Sequence, residues 1–242
     1  MNNKKIAILG DSPLEYDARV QRIIKSFEGK GYSVDVFLPN VNSSELNFST
    51  EKVKIIYYKL NNSWLNRNIL FWRKFSNVIE LVNSKKIKYR FVYVNDYPLL
   101  YSGCKIKDQI KSLLIYDCHE IYIETINQFF PTEGLKKYYG YLLLKFNKFL
   151  HYNIERRLIK KTDFRVTVCD SFKNYFKMVY KSDFIVLKNA PWKLNNIDKS
   201  NKIRNVLDLK NNQKIILYQG VFNRSRGLKK LIESFKFVNS SI

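Results

Sequence analysis

Short apolar runs alternate with amphipathic stretches along most of the chain. The first run, residues 6–9, ends in a loop at 10–13, and apolar residues then recur at helical spacing from Val20 to Phe27 until Gly29 and Gly31 close the helix. Later runs repeat this order, and each ends in polar or loop-forming residues. The pattern predicts strands at 6–9, 34–38, 53–58, 91–94, 114–119, 164–168 and 184–187, and further helices at 69–82, 99–111, 135–161 and 171–180, the last with Ser171 as its N-cap.

This alternation also defines the expected domains. Repeated βα units predict an α/β fold with a doubly wound, mostly parallel sheet over residues 1–190. The stretch 191–212 is rich in Asn, Lys and Asp, which indicates an interdomain linker. Residues 213–242 contain a predicted strand at 215–218 and a helix with an apolar face. Because one strand and one helix cannot bury a core, this part is predicted to be the incomplete beginning of a second domain.

A cluster of titratable side chains follows the apolar run at 114–116. The run ends in Asp117, Cys118, His119 and Glu120. Since ligands of open α/β sheets bind beside the carboxyl ends of the strands, His119 is expected at the mouth of a cleft. Asp117 and Glu120 are near enough in sequence to set its tautomer and its pKa. The segment alone is equally consistent with a histidine that only caps a loop.

The charge of the chain limits its possible partners. There are 43 Lys+Arg against 21 Asp+Glu, and the resulting net charge of +22 suits nucleic acid, a phosphorylated ligand or an anionic membrane. Abundant Lys, Asn, Ile and Tyr with little Gly also fit the residue bias of an AT-rich genome, which accounts for many of the lysines. Nucleic-acid binding is the least favoured of these, because the sequence has no helix-turn-helix, zinc-ligand spacing or aromatic RNA-binding signature.

Cysteine usage and hydropathy bear on the location of the protein. Cys104, Cys118 and Cys169 have no disulfide or metal-ligand spacing, which favours a reducing cytoplasm. The apolar run at 6–9 is too short for a signal peptide, and no run reaches the length of a membrane span. We therefore expect a cytoplasmic protein, either soluble or peripheral on the inner face of the cell membrane.

Several segments, in this order, resemble the family 4 glycosyltransferases of the GT-B architecture, which has two facing Rossmann-like domains. The segment Ile-Tyr-Asp-Cys-His-Glu at 115–120 is similar to the family's Asp-x-His-Glu segment, and residues 93–96 resemble the strand end that lines its cleft. The remaining matches are 17–20 with 31–34, 153–157 with 162–163, 187–191, and 218–220 with 226–228 and 231–232. Together these segments extend over nearly the whole chain.

The resemblance implies a hexosyltransferase-type enzyme. It implies a retaining transfer of sugar from a nucleotide-sugar to a polysaccharide or lipid-linked glycan acceptor, with no cofactor and no bound metal. His119 is implied to be catalytic and near the reacting sugar. Arg226, Gly227 and Gly10 are implied to contact the donor diphosphate, because a guanidinium and the free N–H groups of a helix N-terminus bind phosphate oxygens. The implied cleft-lining residues are Asp11, Ser12, Arg19, Asn95, Asp96, Glu120 and Glu124.

The sequence also departs from the family pattern. Pro13, Leu14 and Glu15 fill the space of the family's paired glycines in the first loop, and Val221 replaces the usual basic residue of the donor-domain loop. The family's acidic donor-domain motif would lie beyond Ile242, so we expect a C-terminally truncated chain with little of the donor site. The alternative is a non-catalytic half-enzyme, a binding module that needs a separate donor-binding chain. Sugar-nucleotide epimerases share the GT-B fold and stay open at that level.

The predicted helix at 135–161 interleaves basic with aromatic and aliphatic residues. This composition is typical of helices at membrane interfaces and equally of a core helix whose lysines form its solvated face. We expect its basic residues to bind an anionic membrane surface; they are Lys136, Lys137, Lys145, Lys148, Arg156, Arg157, Lys160 and Lys161.

Overall fold

The structure is a computed structural model of the 242-residue chain. It describes residues 4–40, 49–63, 65–66, 69–125, 136–191, 200–210, 212–220, 222 and 226–238, with the backbone only at 136–140 and 143. The chain divides into two compact units, Met1–Ala190 and Pro191–Ile242.

Within the described residues, the first unit is built on one sheet of seven parallel strands. Their order is β3-β2-β1-β4-β5-β6-β7. The chain winds outward in one direction from β1 and in the other from β4, so the predicted α/β, doubly wound, Rossmann-like sheet is confirmed. The strands are β1 (Lys5–Leu9), β2 (Ser33–Pro39), β3 (Val53–Tyr58), β4 (Phe91–Asn95), β5 (Leu113–Cys118), β6 (Phe164–Thr167) and β7 (Ile185–Val186).

Helices cover both faces of this sheet. In the described residues of the first unit they are α1 (Ala18–Gly29), α2 (Asn77–Ser84), α3 (Asp96–Ile110), α4 (Tyr122–Thr125), α5 (Lys136–Ile159) and α6 (Asp170–Tyr180), with 3-10 turns at Leu14–Tyr16 and Phe71–Arg73. The second unit contains α7 (Lys202–Val206), α8 (Leu228–Ser234) and a 3-10 turn at Phe235–Phe237. None of the helices described is long and apolar enough to cross a membrane.

Successive side chains of the central strands enter two separate cores. Ile6 and Ile8 of β1 pack with Val20 and Ile24 of α1, while their neighbours Ala7 and Leu9 join the core under α2, α3, α5 and α6. Both faces of a strand in such a sheet are buried, and this is why the strands read as nearly continuous apolar runs in the sequence.

Three sequence-based predictions of elements are wrong. The N-cap of α6 is Cys169, whose backbone is extended, and Ser171 already lies in the first helical turn. The predicted helix at 69–82 is a 3-10 turn followed by α2, because the rings of Phe71 and Trp72 pack around the buried His151.

The third correction concerns the predicted strand at 215–218. Residues 212–220 form no strand, and Ile216 and Leu217 are 70% and 67% exposed. A strand needs a hydrogen-bonding partner, and none pairs with this segment in the described part of the second unit. The predicted linker at 191–212 includes α7, and its residues 192–199 lie outside the described residues.

Candidate functional site

The candidate site lies where the sheet changes its winding direction. In the register of β4 and β5, Asn95 stands beside Asp117, and Val94 of β4 stands beside Leu9 of β1. The residues that follow these strands are Gly10, Asp96 and His119, so three polar loops meet at one edge. Crevices at the carboxyl ends of such strands are the usual ligand sites of open α/β sheets.

His119 is held between two carboxylates at this edge. Its Nε2 is buried and lies 3.1 Å from Asp117 Oδ2, while its Nδ1 lies 3.4 Å from Asp96 Oδ2. The backbone N–H of His119 donates to Asp96 Oδ1 at 2.7 Å. The expected contact with Asp117 is therefore present. The second carboxylate is Asp96 rather than Glu120, whose side chain is exposed.

Asp96 reaches His119 through an unusual backbone conformation. It is the first residue of α3 and has a φ of 57°, in the left-handed region that residues other than glycine rarely adopt. This conformation turns the carboxylate toward the loop after β5. Strained backbone of this kind is concentrated at functional sites, which supports the assignment of a site here.

Side chains of α1 and β4 hold the carboxylate of Asp117 in place by hydrogen bonds. The guanidinium of Arg19 donates from Nε to Oδ2 at 2.9 Å and from Nη2 to Oδ1 at 2.8 Å, and Tyr93 also donates its hydroxyl to Oδ2. Arg19 Nη1 donates to the carbonyl oxygen of Leu187 at 2.9 Å. The structure thus places the predicted cleft residue Arg19 in the interior, as a buried support of Asp117.

The pKa values of the cluster follow from this arrangement. Burial alone would raise the pKa of Asp117, but the contact with His119 and the hydrogen bonds from Arg19 outweigh burial and lower it to about 2. Burial lowers the pKa of His119, yet Asp117 and Asp96 together raise it above its ordinary value. Burial raises the pKa of Asp96 to about 7, although His119 opposes that shift. A histidine with a raised pKa and a carboxyl group that titrates near neutrality therefore stand side by side.

The loop after β1 forms the neighbouring wall. Gly10 donates its N–H to Phe37 O at 3.0 Å, and a Cβ at Gly10 would come within 2.7 Å of Leu38 Cδ2. Burial and the nearby Asp17 raise the pKa of Asp11, and the electrostatic effect of His119 partly opposes this rise. Asp11 is therefore electrostatically part of the His119 cluster, and Ser12 is half-buried next to it.

The other predicted cleft residues have different environments. Asn95 is buried, and neither polar atom of its amide has a hydrogen-bond partner in the part of the chain that is described. Glu124 of α4 pairs with Lys148 at 3.0 Å and accepts from Tyr175. Asn95 is thus a polar group of this edge whose donor and acceptor are both unused among the described residues.

Arg226 and Gly227 belong to the second unit. Arg226 is exposed, and Gly227 has a φ of 66° and is the N-cap of α8. Val221 lies outside the described residues. The contact of Arg226, Gly227 and Gly10 with a donor diphosphate stays a prediction.

No group of three or more His, Cys, Asp or Glu side chains among the described residues is arranged to hold a metal ion. That the reaction needs neither metal nor cofactor stays a prediction.

The chain resembles known proteins in its three-dimensional structure. No known family model matches the chain, and no curated protein matches it. Sucrose-phosphate synthase from Thermosynechococcus elongatus matches with a TM-score of 0.71 and 14% identity over 97% of this chain and 60% of the synthase chain. A second structure of that synthase matches with a TM-score of 0.52 and 13% identity, over 77% of this chain and 89% of the synthase chain. A UGT transferase from Siraitia grosvenorii in complex with UDP matches with a TM-score of 0.47 and 10% identity, over 80% of this chain and 52% of the transferase chain. This TM-score is too low to support an argument.

The structural neighbours are GT-B glycosyltransferases, and the chain shares their parallel α/β fold. The chain spans only 60% of the length of the first synthase structure. At such low identity the likeness shows the fold alone, because one fold carries many activities.

Proposed function

We propose that this chain is part of a glycosyltransferase that moves a hexose from a nucleotide-sugar to a polysaccharide or lipid-linked glycan with retention of configuration. The observation that carries the proposal is the clamp of His119 between Asp117 and Asp96 at the winding reversal of a GT-B-like sheet. The order of sequence segments that resemble family 4 supports it. We place the reaction on the cytoplasmic side of the cell membrane.

His119 and Asp96 have complementary roles in this proposal. Nε2 of His119 stays on Asp117, which is fully buried and anchored by Arg19. The longer contact of Nδ1 with Asp96 is the one that a ligand replaces, so Nδ1 donates a hydrogen bond to a sugar or acceptor oxygen. The Asp96 carboxylate, released from His119, accepts a hydrogen bond from the acceptor hydroxyl. Its pKa of about 7 suits proton transfer near neutral pH.

Asn95, Asp11 and Ser12 complete the acceptor side in this proposal. The buried amide of Asn95 has both a donor and an acceptor to offer to a sugar hydroxyl. The donor-phosphate roles of Gly10, Arg226 and Gly227 are taken from the family 4 resemblance, since a guanidinium and free backbone N–H groups bind phosphate oxygens without a metal.

Transfer assays on the natural protein that contains this sequence test the proposal. Labelled UDP-, GDP- and ADP-sugars are each offered with membrane lipid extracts and with oligosaccharides as acceptors. We expect one donor to label one acceptor class, with the anomeric configuration retained. Hydrolysis or epimerisation of the donor with no glycoside formed, under every combination, would contradict the proposal.

The non-catalytic half-enzyme is the second candidate. It is favoured by the second unit, whose segment 212–220 forms no strand and whose described residues include none that is buried. In that case the chain binds the acceptor at Asn95 and Asp96 and transfers sugar only after a separate donor-binding chain is added. A transfer assay with and without the neighbouring gene products separates the two candidates.

A further inference from the structure

The long helix α5 has an inner face and an exposed face of different character. Asn147, His151, Glu155 and Leu158 recur every three or four residues and are buried against the first unit. The opposite side carries Leu142, Phe146 and Phe149, which are 66%, 55% and 70% exposed. Large apolar side chains exposed in a row mark an interaction surface more often than an ordinary solvated face.

The same exposed side becomes basic toward the end of the helix. Arg156, Arg157 and Lys160 are exposed and have no acidic partner among the described residues. The single acid within α5, Glu155, points inward and accepts hydrogen bonds from Tyr116 and Tyr180. No carboxylate of the helix therefore offsets the charge of its outer face.

The other basic residues of this region contribute less free charge. Lys148 pairs with Glu124 at 3.0 Å, and Lys161 lies 3.4 Å from Asp108. Lys145 lies 4.6 Å from the ring centroid of the exposed Tyr141. Among the side chains that the structure describes, fewer basic groups are therefore without an acidic partner than the sequence suggested, and they adjoin an apolar stripe. The side chains of Lys136 and Lys137 lie outside the described part of the chain.

We propose that this face of α5 docks on an anionic lipid bilayer. Leu142, Phe146 and Phe149 enter the interface between head groups and acyl chains, while Arg156, Arg157 and Lys160 bind the anionic head groups. At a rise of about 1.5 Å per residue, these positions extend over about 27 Å along one exposed side of a helix, a shape that fits a flat surface. Apolar burial and charge attraction together are the two components of interfacial helix binding.

The contacts of α5 place its apolar half near the candidate site. Lys148 joins α5 to Glu124 of α4, the short helix directly after His119. Docking would bring this edge of the sheet close to the membrane, where a lipid-linked acceptor resides. That last step rests on the proposed function, whereas the docking itself does not.

Flotation of the full chain with vesicles tests the charge component. We expect binding to vesicles of equal parts phosphatidylcholine and phosphatidylglycerol, loss of binding at high salt, and weak or no binding to phosphatidylcholine alone. Combined Arg156→Gln, Arg157→Gln and Lys160→Gln should weaken binding about a hundredfold. The matched control, Lys52→Gln with Lys54→Gln and Lys59→Gln, removes the same charge from exposed positions around β3 and should bind within about threefold of wild type.

The apolar component is tested on the same vesicles. Combined Leu142→Ser, Phe146→Ser and Phe149→Ser should weaken binding at least about tenfold. Met178→Ser, which alters a residue 69% exposed on α6, should leave binding unchanged. A separate Phe146→Trp variant, compared with wild type, should gain a blue-shifted emission when anionic vesicles are added, so the proposal stays testable if the triple variant does not fold.

Several results would overturn the proposal. They are equal binding to neutral and anionic vesicles, no binding, equal losses in the control variants, or no emission shift in the tryptophan variant. Self-association that the serine variant abolishes, without vesicle binding, would mean that a second copy covers this face. Because vesicle binding needs no turnover, its failure leaves the transferase proposal standing, and a failed transfer assay leaves the docking proposal standing.

Discussion

At the residue scale, the chemistry of the site depends on how two carboxylates act on one imidazole. Asp117 is buried, and its contacts with His119 and Arg19 lower its pKa, so it is the carboxylate that fixes Nε2 of His119. Asp96 is partly exposed and titrates near neutrality, so it is the carboxylate that can exchange partners. The sequence could predict the contact with Asp117, two residues away, but the contact with Asp96 depends on the neighbouring strand. The sequence signal that could have indicated this contact is the polar pair Asn95-Asp96, which follows the apolar run of β4.

Asp96→Asn should lower the pKa of His119. The Asp96 carboxylate stabilises the imidazolium, so its removal favours the neutral ring. NMR titration of the imidazole C–H signals measures this shift, with His151 as a reference because burial lowers the pKa of His151 to about 4. Glu120→Gln is the matched control and should not move the midpoint. A midpoint lowered by Glu120→Gln and not by Asp96→Asn would contradict the assigned geometry.

Arg19→Met should destabilise the first unit by about 3–5 kcal/mol. It removes both hydrogen bonds to a carboxylate that has no access to solvent, and an unpaired buried charge is strongly unfavourable. Arg22→Met is the control: it removes an exposed hydrogen bond from the Arg22 guanidinium to the Asn189 side chain and should lower the unfolding free energy by no more than about 1 kcal/mol. Urea denaturation measures both values. Similar losses in the two variants would show that Arg19 is not the main support of Asp117.

At the element scale, the burial of parallel strands made most of the fold predictable. The strand at 53–58 matches the structure, and the other strands of the first unit match within one or two residues, because strands buried on both faces leave uninterrupted apolar runs. The predictions at 69–82 and 215–218 failed for a different reason. Their outcome depends on tertiary partners, the aromatic cluster around His151 in one case and a pairing strand in the other, which local periodicity does not report.

Gly103→Ala should weaken the packing of α3 on the sheet. A Cβ at Gly103 would lie 2.5 Å from Val94 Cγ1 and 3.0 Å from Leu114 Cδ1, so the helix must shift away from β4 and β5. We expect a loss of about 1–3 kcal/mol in unfolding free energy. Gly29→Ala at the end of α1 meets no atom within 4 Å and should be neutral or slightly stabilising. Equal effects of the two changes would contradict this packing.

Glu155→Gln should stabilise the protein in mild alkali. Burial raises the pKa of Glu155 from 4.5 to about 7, although the hydroxyls of Tyr180 and Tyr116 oppose that shift. The folded state therefore holds a proton that the unfolded state releases, and stability falls as pH rises from about 4.5 to about 7. Gln removes this loss, so its thermal midpoint should exceed that of wild type at about pH 8 and match it at about pH 5. A midpoint lowered at both pH values would show that the ionised carboxylate is stabilising.

At the scale of the whole molecule, the site is a product of strand order. Gly10, Asp96 and His119 are far apart in sequence, and they meet because β4 inserts between β1 and β5 at the reversal of winding. The fold class could be predicted from the alternation of strands and helices. The position of β4 between β1 and β5 depends on tertiary packing, which no single segment of the sequence determines. The structural likeness to GT-B glycosyltransferases concerns this fold, and sugar binding at the edge belongs to the proposed function.

The most direct test of the account is sugar transfer by the natural protein that contains this sequence, compared between wild type and His119→Ala. The account predicts that turnover falls at least about a hundredfold. The thermal midpoint should change little, because Asp117 keeps its bonds to Arg19 and Tyr93. Undiminished turnover, or a loss of activity matched by an equal loss of stability, would contradict the central claim that His119 acts on the substrate.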